Sequence, residues 1–385
     1  MRILIDASSV TRNKAGVGVY AKNLIEALLV HRELQIFLLA QDDDPEFNYS
    51  HLPNVTMIWV PSRILRIQPL RILFEQTTLP FLLLKHRIDA IHSLHYSFPL
   101  IHFQAKTVVT IHDMTSFSMP EMHLTVKKWY FRFFIRAGRF ADGLIFVSRS
   151  ACNDFISRFG TPNNLFEVIY HGKRKVFAPC LDPGEIDPIR MKYQLPAGKF
   201  ILYIGTIEPR KNLARLVEAF SRIAAAQPDI SLVIAGMKGW MYDDLFATIS
   251  RFNLEKRVLF PGFVAEEDKR FLLCASEVFA YVSLYEGFGL PVLEALACGI
   301  PTVTSNTSSL PEVAGKGALL IDPTSVDEIA EALKRLLSDS SLREELRQAA
   351  LVQAAAFTWE KAAASTLAVY RAVLGESASL PSRRG

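Results

Sequence analysis

Phe200-Ile201-Leu202-Tyr203-Ile204-Gly205-Thr206-Ile207-Glu208-Pro209-Arg210-Lys211-Asn212-Leu213 reads as a buried strand, a turn and the start of a helix. The apolar run ends at a glycine, a proline interrupts it, and helical periodicity takes over at Asn212–Ala226. The same cadence repeats downstream. Strands are predicted at Phe200–Gly205, Ser231–Ala235, Arg257–Phe260, Val278–Val282, Pro301–Thr304 and Ala318–Ile321, with helices at Asn212–Ala226, Asp243–Phe252, Glu266–Ala275 and Pro291–Ala297. Short apolar runs alternating with amphipathic stretches are the mark of βαβ units and a parallel sheet.

Upstream the pattern is the same. Strands are predicted at Arg2–Asp6, Leu34–Ala40, Val55–Val60, Asp89–Ser93, Thr107–His112, Gly143–Ser148 and Glu167–Tyr170, with helices at Val17–His31, Leu70–Lys85, Thr125–Phe140 and Ser150–Arg158. Between the two series lies Gly172–Gly198, with Pro179, Pro183, Pro188 and Pro196. A chain of 385 residues exceeds one ordinary core. The expected fold class is therefore α/β, two doubly wound Rossmann-like domains facing across a cleft. The expected division is an N-terminal domain over 1–172, a linker over 173–198, a second domain over 199–357, a helix over 358–375 packing back toward the first domain, and a tail over 376–385.

Composition narrows the class. Half the residues are hydrophobic and 21% are charged, as in a globular protein with large cores. The apolar stretch Leu79–Leu84 is broken by Lys85, His86 and Arg87, so no span of the ~20 residues a bilayer needs is expected. Cys152, Cys180, Cys274 and Cys298 are far apart, and four reduced thiols in a cytoplasmic protein are expected. Net charge is +4, but Pro61–Phe140 carries 11 Lys and Arg against 4 Asp and Glu. The basic, aromatic segment Lys127–Arg139 suits peripheral contact with an anionic membrane face; solvated helix surfaces are the plainer reading.

Four segments at the carboxyl ends of predicted strands carry candidate chemistry. In the first, Asn13-Lys14-Ala15-Gly16-Val17-Gly18-Val19-Tyr20, the glycines Gly16 and Gly18 would let backbone N–H groups approach an anion at a helix start. Gly16 to Ala21 also fits the loose dinucleotide fingerprint, with Asp42 as a ribose partner, but nine residues separate Asp6 from Gly16. In the second, Arg210 and Lys211 stand at a helix N-terminus, where the dipole disfavours cations, so an anion such as a diphosphate should compensate them. The third is Ser283-Leu284-Tyr285-Glu286-Gly287-Phe288-Gly289-Leu290-Pro291-Val292-Leu293-Glu294-Ala295, whose Glu286 and Glu294 flank a glycine-rich turn and could accept from vicinal hydroxyls. The fourth, Ser305-Asn306-Thr307-Ser308-Ser309-Leu310-Pro311-Glu312-Val313-Ala314-Gly315, offers further polar groups, Asn306 and Ser308 among them. His112 and Asp113 close the matching N-terminal strand.

Together these segments resemble family 4 of the retaining glycosyltransferases, which share the two-Rossmann GT-B architecture, over nearly the whole chain. Glu286-Gly287-Phe288-Gly289-Leu290-Pro291-Val292-Leu293-Glu294 fits the family's paired-glutamate motif, with seven residues between the acids. The resemblance implies that Glu286 meets the donor sugar, Glu294 the ribose, Gly16 the diphosphate, Arg210 and Lys211 the phosphates, and His112 the transferred sugar. Thr206 stands where many members carry an arginine, so one phosphate contact is missing or falls to Arg210. The Gly-Thr-x-x-Pro-Arg-Lys-Asn variant resembles bacterial mannosyltransferases of polysaccharide synthesis and favours GDP-mannose over a UDP-sugar.

The implied activity is hexosyl transfer with retention and without a cofactor or metal, from a nucleotide-sugar to a glycan or lipid-linked acceptor. No Asp-x-Asp that could hold a divalent ion on the diphosphate is expected. A nucleotide-sugar epimerase, a phosphorylase, a nucleotide-binding scaffold and a dehydrogenase are the competing classes; nucleic acid is not an expected partner.

Overall fold

The structure is a computed structural model describing residues 1–10, 16–119, 125–180 and 182–376. Asn13, Lys14 and Ala15 of the first glycine segment lie outside the described residues, as do the side chains of Lys127 and Lys128. The chain forms two compact units, one built from Met1–Gly172 together with the residues from Thr358 onward, the other from Lys173–Phe357.

The first unit runs β1 Arg2–Asp6, α1 Gly16–Leu28, β2 Gln35–Gln41, β3 Val55–Val60, α2 Ser62–Leu65, α3 Gln68–Lys85, β4 Ala90–Ser93, β5 Lys106–Ile111, α4 Thr115–Ser118, α5 Thr125–Ala137, β6 Gly143–Phe146, α6 Arg149–Phe159 and β7 Leu165–Val168. Its seven strands lie in the order β3-β2-β1-β4-β5-β6-β7 and pair in parallel. The strands read as near-continuous apolar runs because helices cover both faces of a parallel sheet.

The second unit runs α7 Asp187–Lys192, β8 Phe200–Ile204, α8 Leu213–Ala224, β9 Ser231–Ala235, α9 Asp243–Arg251, β10 Val258–Gly262, α10 Lys269–Cys274, β11 Val278–Tyr281, α11 Leu290–Ala297, β12 Thr302–Ser305, α12 Leu310–Ala314, β13 Leu319–Ile321, α13 Val326–Ser338 and α14 Ser340–Ala355. Its parallel strands lie in the order β10-β9-β8-β11-β12-β13. In each unit the order reverses beside the first strand, at β1/β4 and at β8/β11. Those two switch points, at the carboxyl ends of the strands, are where open α/β sheets bind ligands.

The last helix, α15 Trp359–Val373, belongs to the first unit. Its Tyr370 hydroxyl meets His92 Nδ1 on β4 at 2.6 Å, and the other ring nitrogen of His92 meets Thr110 Oγ1 on β5 at 2.8 Å. Gly172 is required where the chain passes this helix, since a Cβ there would stand 2.1 Å from the Trp359 nitrogen. The segment after Gly172 is not bare linker: it holds α7, and Cys180 bonds Cys274 at the end of α10 across a Cα separation of 6.0 Å. This corrects the expectation of four reduced thiols. The two cysteines are 94 residues apart, and only the fold shows them as neighbours. Cys152 and Cys298 remain buried thiols.

Candidate active site

The turn after β8 and the turn after β11 meet at the switch point of the second unit. Pro209–Lys211 forms a short 3-10 turn, and Asn212, in the left-handed region at φ 61°, starts α8. The Asn212 side chain donates to the carbonyls of Val282 and Pro323, at 3.0 and 2.6 Å. One amide thus ties the β8 turn to the ends of β11 and β13. It places Arg210 and Lys211 against Glu286.

Glu286 is almost wholly buried and gripped from both sides. Lys211 Nζ lies 2.6 Å from Oε1 and Arg210 Nη1 lies 2.8 Å from Oε2. Burial alone would raise this carboxyl, but the two cations hold it down to about 2. Lys211 also donates to the Tyr281 hydroxyl at 2.7 Å. Burial and the neighbouring Arg210 lower its ammonium from the ordinary lysine range. Arg210 is oriented by the Tyr285 carbonyl at 2.7 Å and by Glu208 Oε1 at 2.6 Å.

The conflict seen in the sequence, two adjacent cations at a helix start, is therefore resolved within the protein. Glu208 and Glu286 compensate Arg210 and Lys211, with the pair in the turn before α8 rather than on the helix. Glu208 escaped the sequence reading. Its signal was its place two residues before Arg210.

The loop from Glu286 into α11 is shaped by Gly289, whose φ of 105° and Cβ position 2.7 Å from Leu310 Cδ2 exclude a side chain. Phe288 is buried and packs edge-on against Phe357 at 5.9 Å between ring centroids. Gly287 lies between these anchors.

The fourth segment serves mainly to hold this loop. Ser305 Oγ donates to the Ser283 carbonyl at 2.6 Å, and Thr307 Oγ1 to that of Leu284 at 3.2 Å. Ser308 Oγ accepts from the Glu286 N–H at 2.9 Å, and Ser309 Oγ reaches the carbonyls of Glu286 and Phe288, at 3.0 and 2.8 Å. These hydroxyls fix Glu286, whereas the Asn306 side chain is exposed. Ser309 was quoted in the sequence but not singled out; hydroxyl spacing alone does not tell a loop clamp from a ligand contact.

Glu294 is also buried, one turn into α11. Arg174 Nη2 stands 3.3 Å from its Oε1 and 2.8 Å from Glu266. Burial raises the Glu294 carboxyl, opposed by Lys269 and Arg174. Both glutamates of the motif face cations, but the pair at Glu286 outweighs burial and lowers its carboxyl, whereas at Glu294 burial prevails and raises it. Thr206 follows β8; its carbonyl accepts from the Tyr203 hydroxyl at 3.1 Å.

Gly16, Gly18 and His112 belong to the first unit. Gly16 opens α1 and is exposed, while Gly18 is buried. His112, just beyond β5, is buried; its Nε2 meets the Leu94 carbonyl at 2.8 Å and its ring packs edge-on against Tyr20 of α1 at 4.9 Å. Burial depresses its imidazole to about 4, so it is neutral at pH 7. At the switch point of this unit, Asp6, Glu75 and His95 bring one ligand-type atom each within 4.8 Å of one another, all buried. That set is the one cluster of metal-ligating type among the described residues, and Arg71, 3.2 Å from Glu75, already supplies positive charge there. The run Asp42-Asp43-Asp44 does contain an Asp-x-Asp spacing, but Asp42 and Asp44 cap backbone N–H groups and Asp43 pairs with Arg66.

Residues 15–172 match the family described as Glycosyltransferase Family 4, and residues 186–353 match Glycosyl transferases group 1. The O-antigen chain mannosyltransferase B of Escherichia coli is 31% identical over 96% of this chain and all of its own length. The chain is a family 4 glycosyltransferase. The serotype-specific mannosyltransferase WbdA of Escherichia coli is 31% identical over 71% of the glycosyltransferase, which spans 34% of that longer protein. Among solved structures, sucrose-phosphate synthase from Thermosynechococcus elongatus superposes with a TM-score of 0.77 at 21% identity, covering 98% of this glycosyltransferase and all of that chain. WaaG, a glycosyltransferase involved in lipopolysaccharide biosynthesis, superposes with a TM-score of 0.73 at 16% identity, over 97% of this chain and all of its own. These likenesses show the GT-B fold.

Proposed function

We propose that this glycosyltransferase moves a mannosyl residue from GDP-mannose to a glycan or lipid-linked acceptor in surface polysaccharide synthesis, retaining the anomeric configuration and using no metal ion on the diphosphate. The observation that carries the reading is the cationic pair Arg210 and Lys211, held at the β8/β11 switch point by Glu286. Preorganised cations beside a departing diphosphate stabilise its developing charge as a divalent ion would. The mannosyltransferase names of the relatives support the donor sugar.

In this reading Glu286, kept ionised by its two partners, accepts hydroxyls of the transferred sugar, and Glu294 accepts those of the ribose. His112, neutral, supplies a hydrogen bond rather than a charge. With no carboxylate assigned as nucleophile, same-face attack by the acceptor hydroxyl is the economical path, the β-phosphate taking its proton. For the acceptor, Asp6, Glu75 and His95 present buried atoms without hydrogen-bond partners, Oδ2, Oε2 and Nδ1, of the kind that sugar hydroxyls satisfy. A peripheral position at an anionic membrane face suits a lipid-linked acceptor.

The test is a donor screen with the full chain and lipid-linked and free glycan acceptors, reading released nucleoside diphosphate and the anomeric configuration of the product. Release of GDP from GDP-mannose with an α-linked product is expected. Turnover of a UDP-sugar alone, or inversion, overturns the corresponding part.

A further inference from the structure

The first unit leaves a wall of apolar side chains uncovered. On α3 the residues Leu70, Leu73, Thr77, Phe81 and Leu84 follow at intervals of three and four, so they share one face, and that face is exposed. The opposite face supplies core residues such as Leu79 and Leu83, fully or nearly fully buried. A helix apolar on both sides has a second environment to meet. On α5 and the 3-10 turn after it, Trp129, Phe133, Arg136 and Phe140 form another exposed stripe, with Phe140 81% and Trp129 67% accessible.

The elements that carry these stripes touch one another. The Arg71 guanidinium of α3 lies 3.3 Å from the Tyr130 hydroxyl of α5. Gln76 of α3 exchanges hydrogen bonds of 3.0 Å with the Phe98 carbonyl and the Leu100 N–H. That second contact brings exposed Leu100, Ile101 and Phe103 beside the same helix. Large apolar side chains exposed on neighbouring elements, rather than scattered singly, point to an interaction site.

The charges choose the occupant. Arg63, Lys85 and Arg87 are exposed at the two ends of the α2–α3 stretch, where Arg66 is already paired with Asp43, and Arg136 and Arg139 are exposed on the α5 stretch. The one acidic residue between Ser62 and Arg87 is Glu75, which is buried, and neither 98–104 nor 125–140 contains any. A second copy related by a two-fold axis would set like charges against one another. Aromatic and aliphatic side chains interleaved with an excess of cations, the nearby Asp42 and Asp43 being engaged with the Ser62 N–H and with Arg66, fit the boundary of a bilayer.

We propose that the exposed face of α2–α3, the 98–103 loop and α5 docks the protein on a bilayer containing anionic phospholipids, the apolar side chains entering the interface and the arginines meeting the headgroups. The surface gives the lipid-linked acceptor of the proposed function a physical basis. Vesicle binding needs neither donor nor acceptor, so its failure leaves the transfer reading standing.

The experiment is co-sedimentation of the full chain with vesicles of phosphatidylglycerol and phosphatidylcholine, against pure phosphatidylcholine, at low and high salt. Binding that needs the anionic lipid and weakens with salt is expected. Leu73→Asn/Phe81→Asn/Phe133→Asn should lower the partition coefficient at least tenfold, and Arg63→Gln/Arg136→Gln/Arg139→Gln by about fivefold for each arginine. All six positions are exposed, so unchanged circular dichroism and thermal midpoints are expected. Wild-type protein that stays in the supernatant at low salt overturns the proposal. So does a triple variant that binds like wild type. A concentration-dependent dimer in sedimentation velocity, abolished by the same substitutions, would assign the face to a second copy instead.

Discussion

Lys211 Nζ and Glu286 Oε1 are 2.6 Å apart in a site where both side chains are more than nine-tenths buried, and each is brought there by a different strand's turn. Neither group could keep its charge at that depth alone. The pair joins the β8 and β11 turns electrostatically, and its members carry the sharpest expectations.

Lys211→Ala removes the buried cation and leaves Glu286 with Arg210. Turnover should fall on the order of 10²-fold, the scale of one charge-stabilising group at a transition state. Steady-state kinetics with saturating donor checks it; a near-normal kcat would move the phosphate role elsewhere.

The paired glutamates should separate in kinetics. Glu294→Gln should raise KM for the donor and weaken the bare nucleoside diphosphate, because the proposed reading gives it the ribose, whose contacts are equal in ground and transition states. Glu286→Gln should slow transfer instead. Since it removes a negative charge beside Arg210 and Lys211, it has no electrostatic reason to weaken the bare nucleotide. Calorimetry of the nucleotide with both variants, beside their kinetics, decides; equal weakening would refute the assignment.

The same carboxyl sets a pH dependence. Glu286 is held at about 2 in the folded protein, below its ordinary 4.5, so the unfolded chain takes up protons first as pH falls. Its contribution is fully present above pH 4.5 and is lost between there and about 2, on the order of 3 kcal/mol. Urea unfolding of wild type and Glu286→Gln should show their stability difference shrinking across that window. A pH-independent difference would contradict the pairing.

His112, depressed by burial to about 4, should not titrate between pH 8 and 5.5. The sign is that of a base kept neutral by the fold, so its contribution is present above the unfolded value near 6.5 and is lost as pH falls toward 4. A proton NMR titration of its C2–H resonance, assigned with His112→Gln, reads this directly. A midpoint near 6.5 would show the ring to be solvated.

Activity should survive excess EDTA, since in the proposed reading Arg210 and Lys211 take the charge-stabilising part of a metal. Loss of turnover, restored by magnesium or manganese, would overturn the metal-independent reading and direct attention to Asp6, Glu75 and His95.

The sequence by itself determined the fold class, because the apolar periods are local. Buried parallel strands such as Phe200–Ile204 must be continuously apolar, and the helices between them must present one apolar stripe. It also marked Arg210, Lys211, Glu286 and Glu294, since glycine, proline and charged residues cluster at strand ends. Tertiary structure alone decided what those charges do. Glu208 and Glu286 neutralise the cations, the 305–309 hydroxyls clamp the Glu286 loop, Glu294 belongs to Arg174, and Cys180 meets Cys274. Each of these is a contact between groups distant in sequence, apart from Glu208 with Arg210. The strength of a buried charge or hydroxyl depends on which partner the fold delivers and on how much water it removes, and no local pattern encodes either.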